Sequence, residues 1–122
     1  MTFAEYQAFA ARTSDPNRHG TERIHVAALG LASEAGEVAG TIKKIAERHS
    51  NLTGEYERRI TQELGDVMWY VAELCSAIGV DLDGVASANV GKLLLRYPDG
   101  FTPEGSIAKA DRAKHGGINA NS

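Results

Sequence analysis

The sequence predicts an all-α protein, a bundle of four antiparallel helices. Three observations carry this expectation. Apolar residues recur at spacings of three and four over three long stretches, as one face of a helix requires. No segment shows the convincing apolar–polar alternation of a half-buried strand. Prolines and turn-forming clusters fall between the periodic stretches, so the connections are short and neighbouring helices run antiparallel.

The elements follow in order. Thr2 with Glu5 three residues later is a capping-box signature. Phe3, Tyr6, Phe9 and Ala10 continue it at helical spacing, giving a first helix to about Arg12. Ser14 to Gly20, rich in Asp, Pro, Asn and Gly, reads as a loop. A long second helix is expected from about Thr21 to Arg48, with Ile24, Leu31, Val38, Ile42 and Ile45 on its apolar face. Gly30, Gly36 and Gly40 lie inside it. Each costs about 1 kcal/mol relative to Ala, and together with five alanines they make a narrow helix that neighbours can approach closely. A third helix is expected from about Glu55 to Ile78, with Ile60, Leu64, Val67, Met68, Val71, Leu74, Cys75 and Ile78 as a wide apolar stripe. Gly79 ends it. Asp81 or Asp83 caps a fourth helix to about Arg96, which Pro98, Gly100 and Pro103 stop.

One domain over residues 1–103 is the expectation for 122 residues with three prolines, followed by a polar, flexible tail over 104–122 with a stray turn of helix near Ala108–Lys114. A net charge of −3 with interspersed signs gives no electrostatic case for a nucleic acid polymer or an anionic membrane. No apolar run is long enough to span a bilayer, and the acidic, amphipathic start is unlike a signal peptide. Cys75 is the single cysteine and sits in an apolar helical pattern, so it reads as a core thiol. A cytoplasmic location is expected.

Chemistry concentrates in two acid pairs. Glu34 and Glu37 stand three apart in Ser-Glu-Ala-Gly-Glu, and Glu63 and Asp66 three apart in Glu-Leu-Gly-Asp. Residues at that spacing project together from a helix, with Cβ atoms about 5–6 Å apart. On antiparallel neighbours the two pairs can face one another. Four carboxylates in one cluster repel unless a cation neutralises them. Oxygen ligands without nearby Cys or His select Mg²⁺ or Mn²⁺, with Ca²⁺ less specific. A single Glu-x-x-Glu is usually a solvated helix face; its recurrence beside apolar stripes argues otherwise. On the fourth helix Asn89, Lys92 and Arg96 share a face at i, i+3 and i+7. That is the cationic rim a polyphosphate needs beside a metal–carboxylate cluster, although alone it would read as a solvated basic stripe. Tyr70, one turn after Asp66 on the same face, is placed to stack on a flat ring. Trp69 is expected to point elsewhere, into core or subunit packing. His25, Lys43 and Lys44 read better as structural or solvated groups.

Ser33-Glu34-Ala35-Gly36-Glu37, Glu63-Leu64-Gly65-Asp66, and Asn89-Val90-Gly91-Lys92 with Arg96-Tyr97-Pro98 resemble the all-α nucleoside triphosphate pyrophosphohydrolases of the MazG type. The resemblance covers about residues 20–101. It implies a four-helix fold that assembles as a homodimer or homotetramer. It implies Mg²⁺-dependent cleavage between the α and β phosphates of a nucleoside triphosphate, giving a monophosphate and pyrophosphate, in a housecleaning role. Glu34, Glu37, Glu63 and Asp66 would be the metal ligands, with Mn²⁺ a possible substitute. Lys92 and Arg96 would contact phosphate, Asn89 and Tyr70 would help bind substrate, and Glu34 or Glu37 would take the proton from water. One departure is Ser33, where MazG itself often has a further Glu.

Two other classes fit parts of the pattern. A di-iron carboxylate bundle needs two Glu-x-x-His elements, and only Glu22-Arg-Ile-His25 fits. A non-enzymatic oligomeric bundle that binds a partner through helix faces would leave all four acids as solvated surface.

Overall fold

The computed structural model describes residues 1–108, and those residues are helical throughout apart from their connections. Four main helices run in the order α1 (Phe3–Ala11), α2 (Gly20–Glu47), α3 (Gly54–Ala77) and α4 (Leu82–Arg96), and a short fifth covers residues 103–108. The all-α class is the one the periodicity predicts, and the helix ends fall within about a residue of those read from the sequence. Among the described residues no helix is long and apolar enough to cross a membrane. The chain divides into two compact units, Met1–Asp83 and the residues from Gly84 onward.

In the first unit, α2 and α3 form an antiparallel hairpin. Contacts far apart in sequence set its register: Thr41 bonds to Glu63, and Arg23 to Glu73. α1 packs on α3. The Thr2–Glu5 capping box is formed in both directions, with the Glu5 N–H donating to Thr2 Oγ1 at 3.1 Å and the Thr2 N–H to Glu5 Oε2 at 2.7 Å. Both long helices end in Schellman turns. At α3 the left-handed residue is Gly79, and the Val80 N–H reaches back to the Cys75 carbonyl at 2.9 Å. At α2 the same position is His49, with φ of 47°. Asp81 is the residue that caps α4, since its Oδ1 accepts the Asp83 N–H at 3.3 Å. Gln7 ties α1 to this corner. Its amide donates to Ser76 Oγ and the Val80 carbonyl, and its oxygen accepts the Leu82 N–H at 2.8 Å.

The core is small. Ala10, Ala72, Cys75 and Leu82 are buried together, with Tyr6, Trp69 and Val71 packed against them. Cys75 is a core thiol as expected; burial, then the Asp81 charge, pushes its pKa up. Several residues of the expected apolar stripes stay about half exposed instead, among them Ile42, Leu64, Met68 and Ile78. α1 shields only part of the hairpin's apolar surface. Of the glycines in α2, only Gly30 marks a close approach: a Cβ there would overlap the Tyr70 ring, whereas Gly36 and Gly40 face nothing within 4 Å.

In the second unit Arg96 lies over the Tyr97 ring, 5.7 Å from its centroid, and Tyr97 packs on Phe101. Residues 103–108 are helical, so the expected flexible tail begins with a helix. Thr102 caps it, with Oγ1 accepting the Gly105 N–H at 3.1 Å, and Pro103 occupies its first position. The fixed φ of proline suits a first helical residue, whose N–H has no partner anyway. Pro103 therefore starts a helix rather than only stopping one. The remainder of the expected tail, with most of the anticipated turn at Ala108–Lys114, lies outside the described residues.

Candidate active site

α2 and α3 carry the two acid pairs, and the antiparallel register brings one member of each to a shared groove. Glu34 from α2 and Asp66 from α3 line an open cavity of about 430 Å³ together with Thr13, Trp69 and Tyr70. Glu34 is half-buried and Asp66 exposed. Neither carboxylate takes a hydrogen bond or an ion pair among the described residues, so both are unspent. Asp66 also faces α1: burial first, then the Asp66 charge, raises the pKa of the Tyr6 phenol.

Glu63 sits differently. Its side chain is buried in the hairpin, where Oε1 accepts from Thr41 Oγ1 at 2.8 Å and from Arg59 Nε at 3.0 Å. Burial by itself would raise its pKa. The bonds from Arg59 and Thr41, with the charges of Arg59 and Lys44, outweigh this and hold the carboxyl below its ordinary range. Its other oxygen, Oε2, is buried and has no hydrogen-bond partner. A buried, ionised oxygen with free lone pairs is chemically suited to a hard divalent cation. Glu37 is exposed on α2 and is not part of the groove lining. Among the described residues no three acids, histidines or cysteines stand close enough to hold an ion. The donor set fits Mg²⁺ in kind, with Glu34 and Asp66 gathered and Glu63 and Glu37 beside them on the same helices.

Tyr70 lines the groove, as its position one turn after Asp66 predicts. Trp69 packs against the core, as expected, and lines the groove as well. Adjacent residues diverge by about 100° around a helix. The indole is large enough to reach the groove all the same, and its ring stands edge-on to Tyr70, with centroids 4.9 Å apart at 87°. Its Nε1–H donates to Thr13 Oγ1 at 2.7 Å, which holds it there.

Behind the aromatic pair lies a charged network that the sequence reading passed over. Arg23 grips Glu73 with two bonds, Nε to Oε1 at 2.8 Å and Nη2 to Oε2 at 3.1 Å. Ser14 Oγ adds a third, also to Oε1, at 2.8 Å. The Arg23 and Ser14 bonds hold the Glu73 carboxyl below its ordinary range despite its burial. Fifty residues separate Arg23 from Glu73, so no local pattern announces the pair. Glu73 stands seven residues after Asp66 and three after Tyr70, on the helix face that carries the site residues, and that spacing was the available signal.

Asn89, Lys92 and Arg96 lie on α4 in the second unit. Asn89 and Lys92 are exposed and Arg96 is half-buried under its contact with Tyr97. Lys43 is paired with Glu47 on the surface at 3.5 Å. Glu22 and His25, the one Glu-x-x-His element, are exposed and belong to no group of metal ligands among the described residues.

The fold is all-α, and one acid from each of two facing helices meets the other in a single groove. Residues 23–101 match the family model of the MazG nucleotide pyrophosphohydrolase domain, and the chain belongs to that family. It is 40% identical to the Gene 37 protein of Mycobacterium phage L5 over 80 residues, which are 65% of this chain and 70% of the relative. No solved structure matches it.

Proposed function

We propose that the protein is a Mg²⁺-dependent nucleoside triphosphate pyrophosphohydrolase that cleaves between the α and β phosphates, releasing a nucleoside monophosphate and pyrophosphate. The observation that carries this is the convergence of Glu34 and Asp66, one acid from each pair, on a groove walled by Tyr70 and Trp69. Acids on one side and rings on the other suit a ligand that is polyanionic at one end and flat at the other.

Glu34, Glu37, Glu63 and Asp66 are the ligands for Mg²⁺, which Mn²⁺ can replace. When bound, the cation supplies neutralisation of phosphate charge and polarisation of the reacting phosphorus centre. Glu34 or Glu37 accepts the proton of the attacking water. Lys92 and Arg96 contact phosphate, Asn89 adds a hydrogen bond to the substrate, and Tyr70 packs on the nucleoside. We further propose that the chain works as a homodimer or homotetramer in the cytoplasm, clearing unwanted nucleotides from the pool. The half-exposed Ile42, Leu64 and Met68 support self-association, because the described residues leave them uncovered.

The test is pyrophosphate release from a panel of ribo- and deoxynucleoside triphosphates, with Mg²⁺ and with EDTA. Wild type is run beside Glu37→Gln, which keeps the shape and removes the charge. Metal-dependent release that is lost in the variant is expected. Orthophosphate in place of pyrophosphate would discard α–β cleavage, and no release from any nucleotide would discard the hydrolase.

A further inference from the structure

We propose that Thr13 is a specificity-determining residue for the nucleoside, acting through the Trp69 wall, and that Glu73 is the residue that positions this wall. The inference rests on the nucleotide reading of the groove and deepens it. Thr13 lies outside the family-matched residues 23–101, in the first turn of the α1–α2 loop, yet it lines the same groove as Glu34 and Asp66.

The geometry supplies the argument. Thr13 Oγ1 donates to the Ala10 carbonyl at 2.8 Å and accepts the Trp69 indole N–H at 2.7 Å. Its one proton is thereby committed, so at the groove the hydroxyl can only accept. Trp69 and Tyr70 meet at 87°, forming a corner with one ring presented face-on where the other is edge-on. A planar base stacks on such a face while its edge meets the second wall. One residue after Thr13, Ser14 donates to Glu73, which α3 carries one turn beyond Trp69 and Tyr70. Arg23 fixes the same carboxylate from α2. Glu73 thus joins the start of the α1–α2 loop, α2 and α3 at one buried point behind the aromatic corner. Ser14, Arg23, Trp69, Tyr70 and Glu73 also line a cavity of only about 40 Å³, room for a few waters at most, so the wall has little space to recoil. The chain therefore holds two links between the loop and α3, one at the groove surface and one behind it.

Trp69 is the only tryptophan, so its emission reports this corner directly. The full chain is titrated in Mg²⁺ with the four deoxynucleoside monophosphates, which have no anhydride to cleave, and separately with pyrophosphate. Monophosphates are expected to quench Trp69 saturably, and pyrophosphate is not. Thr13→Val should weaken monophosphate binding by roughly 3- to 10-fold and narrow the differences among bases. Thr13→Ser, which restores the hydroxyl, should return wild-type behaviour, and this pair separates loss of the bond from misfolding. Glu73→Gln should make Trp69 more accessible to acrylamide. Equal quenching by pyrophosphate, no quenching of wild type, or a Thr13→Val variant that binds like wild type would each overturn the proposal. So would unchanged acrylamide access in Glu73→Gln for the positioning role. The nucleotide reading fails separately, by the absence of pyrophosphate release from every triphosphate.

Discussion

Gly30 and Tyr70 meet across the α2–α3 hairpin so closely that a Cβ on residue 30 would fall within the phenol ring. The relationship explains a glycine in the middle of a long helix, where it lowers helix propensity by about 1 kcal/mol relative to Ala. The space it leaves is filled by an aromatic ring that also walls the groove. Gly30→Ala should therefore destabilise the protein by about 1–3 kcal/mol, since overpacking outweighs the gain in propensity. Displacement of Tyr70 should raise KM for nucleotides as well. Thermal unfolding and steady-state kinetics on the same preparation check both effects.

Metal binding should appear as stability before it appears as rate. Glu34 and Asp66 have no cationic partner among the described residues, and Glu63 keeps one oxygen without a hydrogen-bond partner, so a divalent cation should bind the folded state preferentially. At a hundredfold excess over Kd this is worth about 2.7 kcal/mol. Mg²⁺ should raise the melting temperature of wild type, EDTA should remove the increment, and Asp66→Asn should lose most of it. A wild-type Tm indifferent to Mg²⁺ would count against the ligand assignment.

The Arg23–Glu73 pair predicts a pH dependence whose sign is set by Glu73. Its carboxyl is held below the ordinary glutamate value of about 4.3 by Arg23 and Ser14. A group with a lowered folded-state pKa contributes fully above its unfolded value. That contribution is lost as pH falls through the folded one. Stability should thus be level above about pH 5 and fall below pH 4, and Glu73→Gln should flatten part of that fall. Arg23→Ala, which strands a buried carboxylate, should cost about 3 kcal/mol at neutral pH. Denaturant titrations at several pH values separate these outcomes.

His49 gives a prediction of the opposite sign. It ends α2 at a φ of 47°, in the left-handed region where a side chain crowds the backbone. His49→Gly should stabilise the fold by about 1 kcal/mol, as Gly79 already does at the equivalent turn of α3. The residue is exposed and distant in sequence from both acid pairs, so pyrophosphate release should not change. Chemical denaturation with an activity control decides it.

What the sequence determined by itself was local. Helix periods, the Thr2–Glu5 box, the Asp81 cap and the Gly79 stop depend on residues within a few positions of one another, and all are present in the structure. The i, i+3 spacing of the acids was legible for the same reason. Pro103 shows the limit even of local reading, because the same residue that breaks a helix interior suits a helix start. What only the tertiary structure decided was which side chains meet. Glu34 and Asp66 share a groove while Glu63 turns into the hairpin toward Thr41 and Arg59. Trp69 reaches the groove because Thr13, 56 positions away, takes its N–H. Glu73 is buried with its charge because Arg23 arrives from another helix. Helix formation is governed by backbone bonds and side chains a turn apart. Burial and pairing are governed by the register between helices, which no stretch of the chain encodes alone.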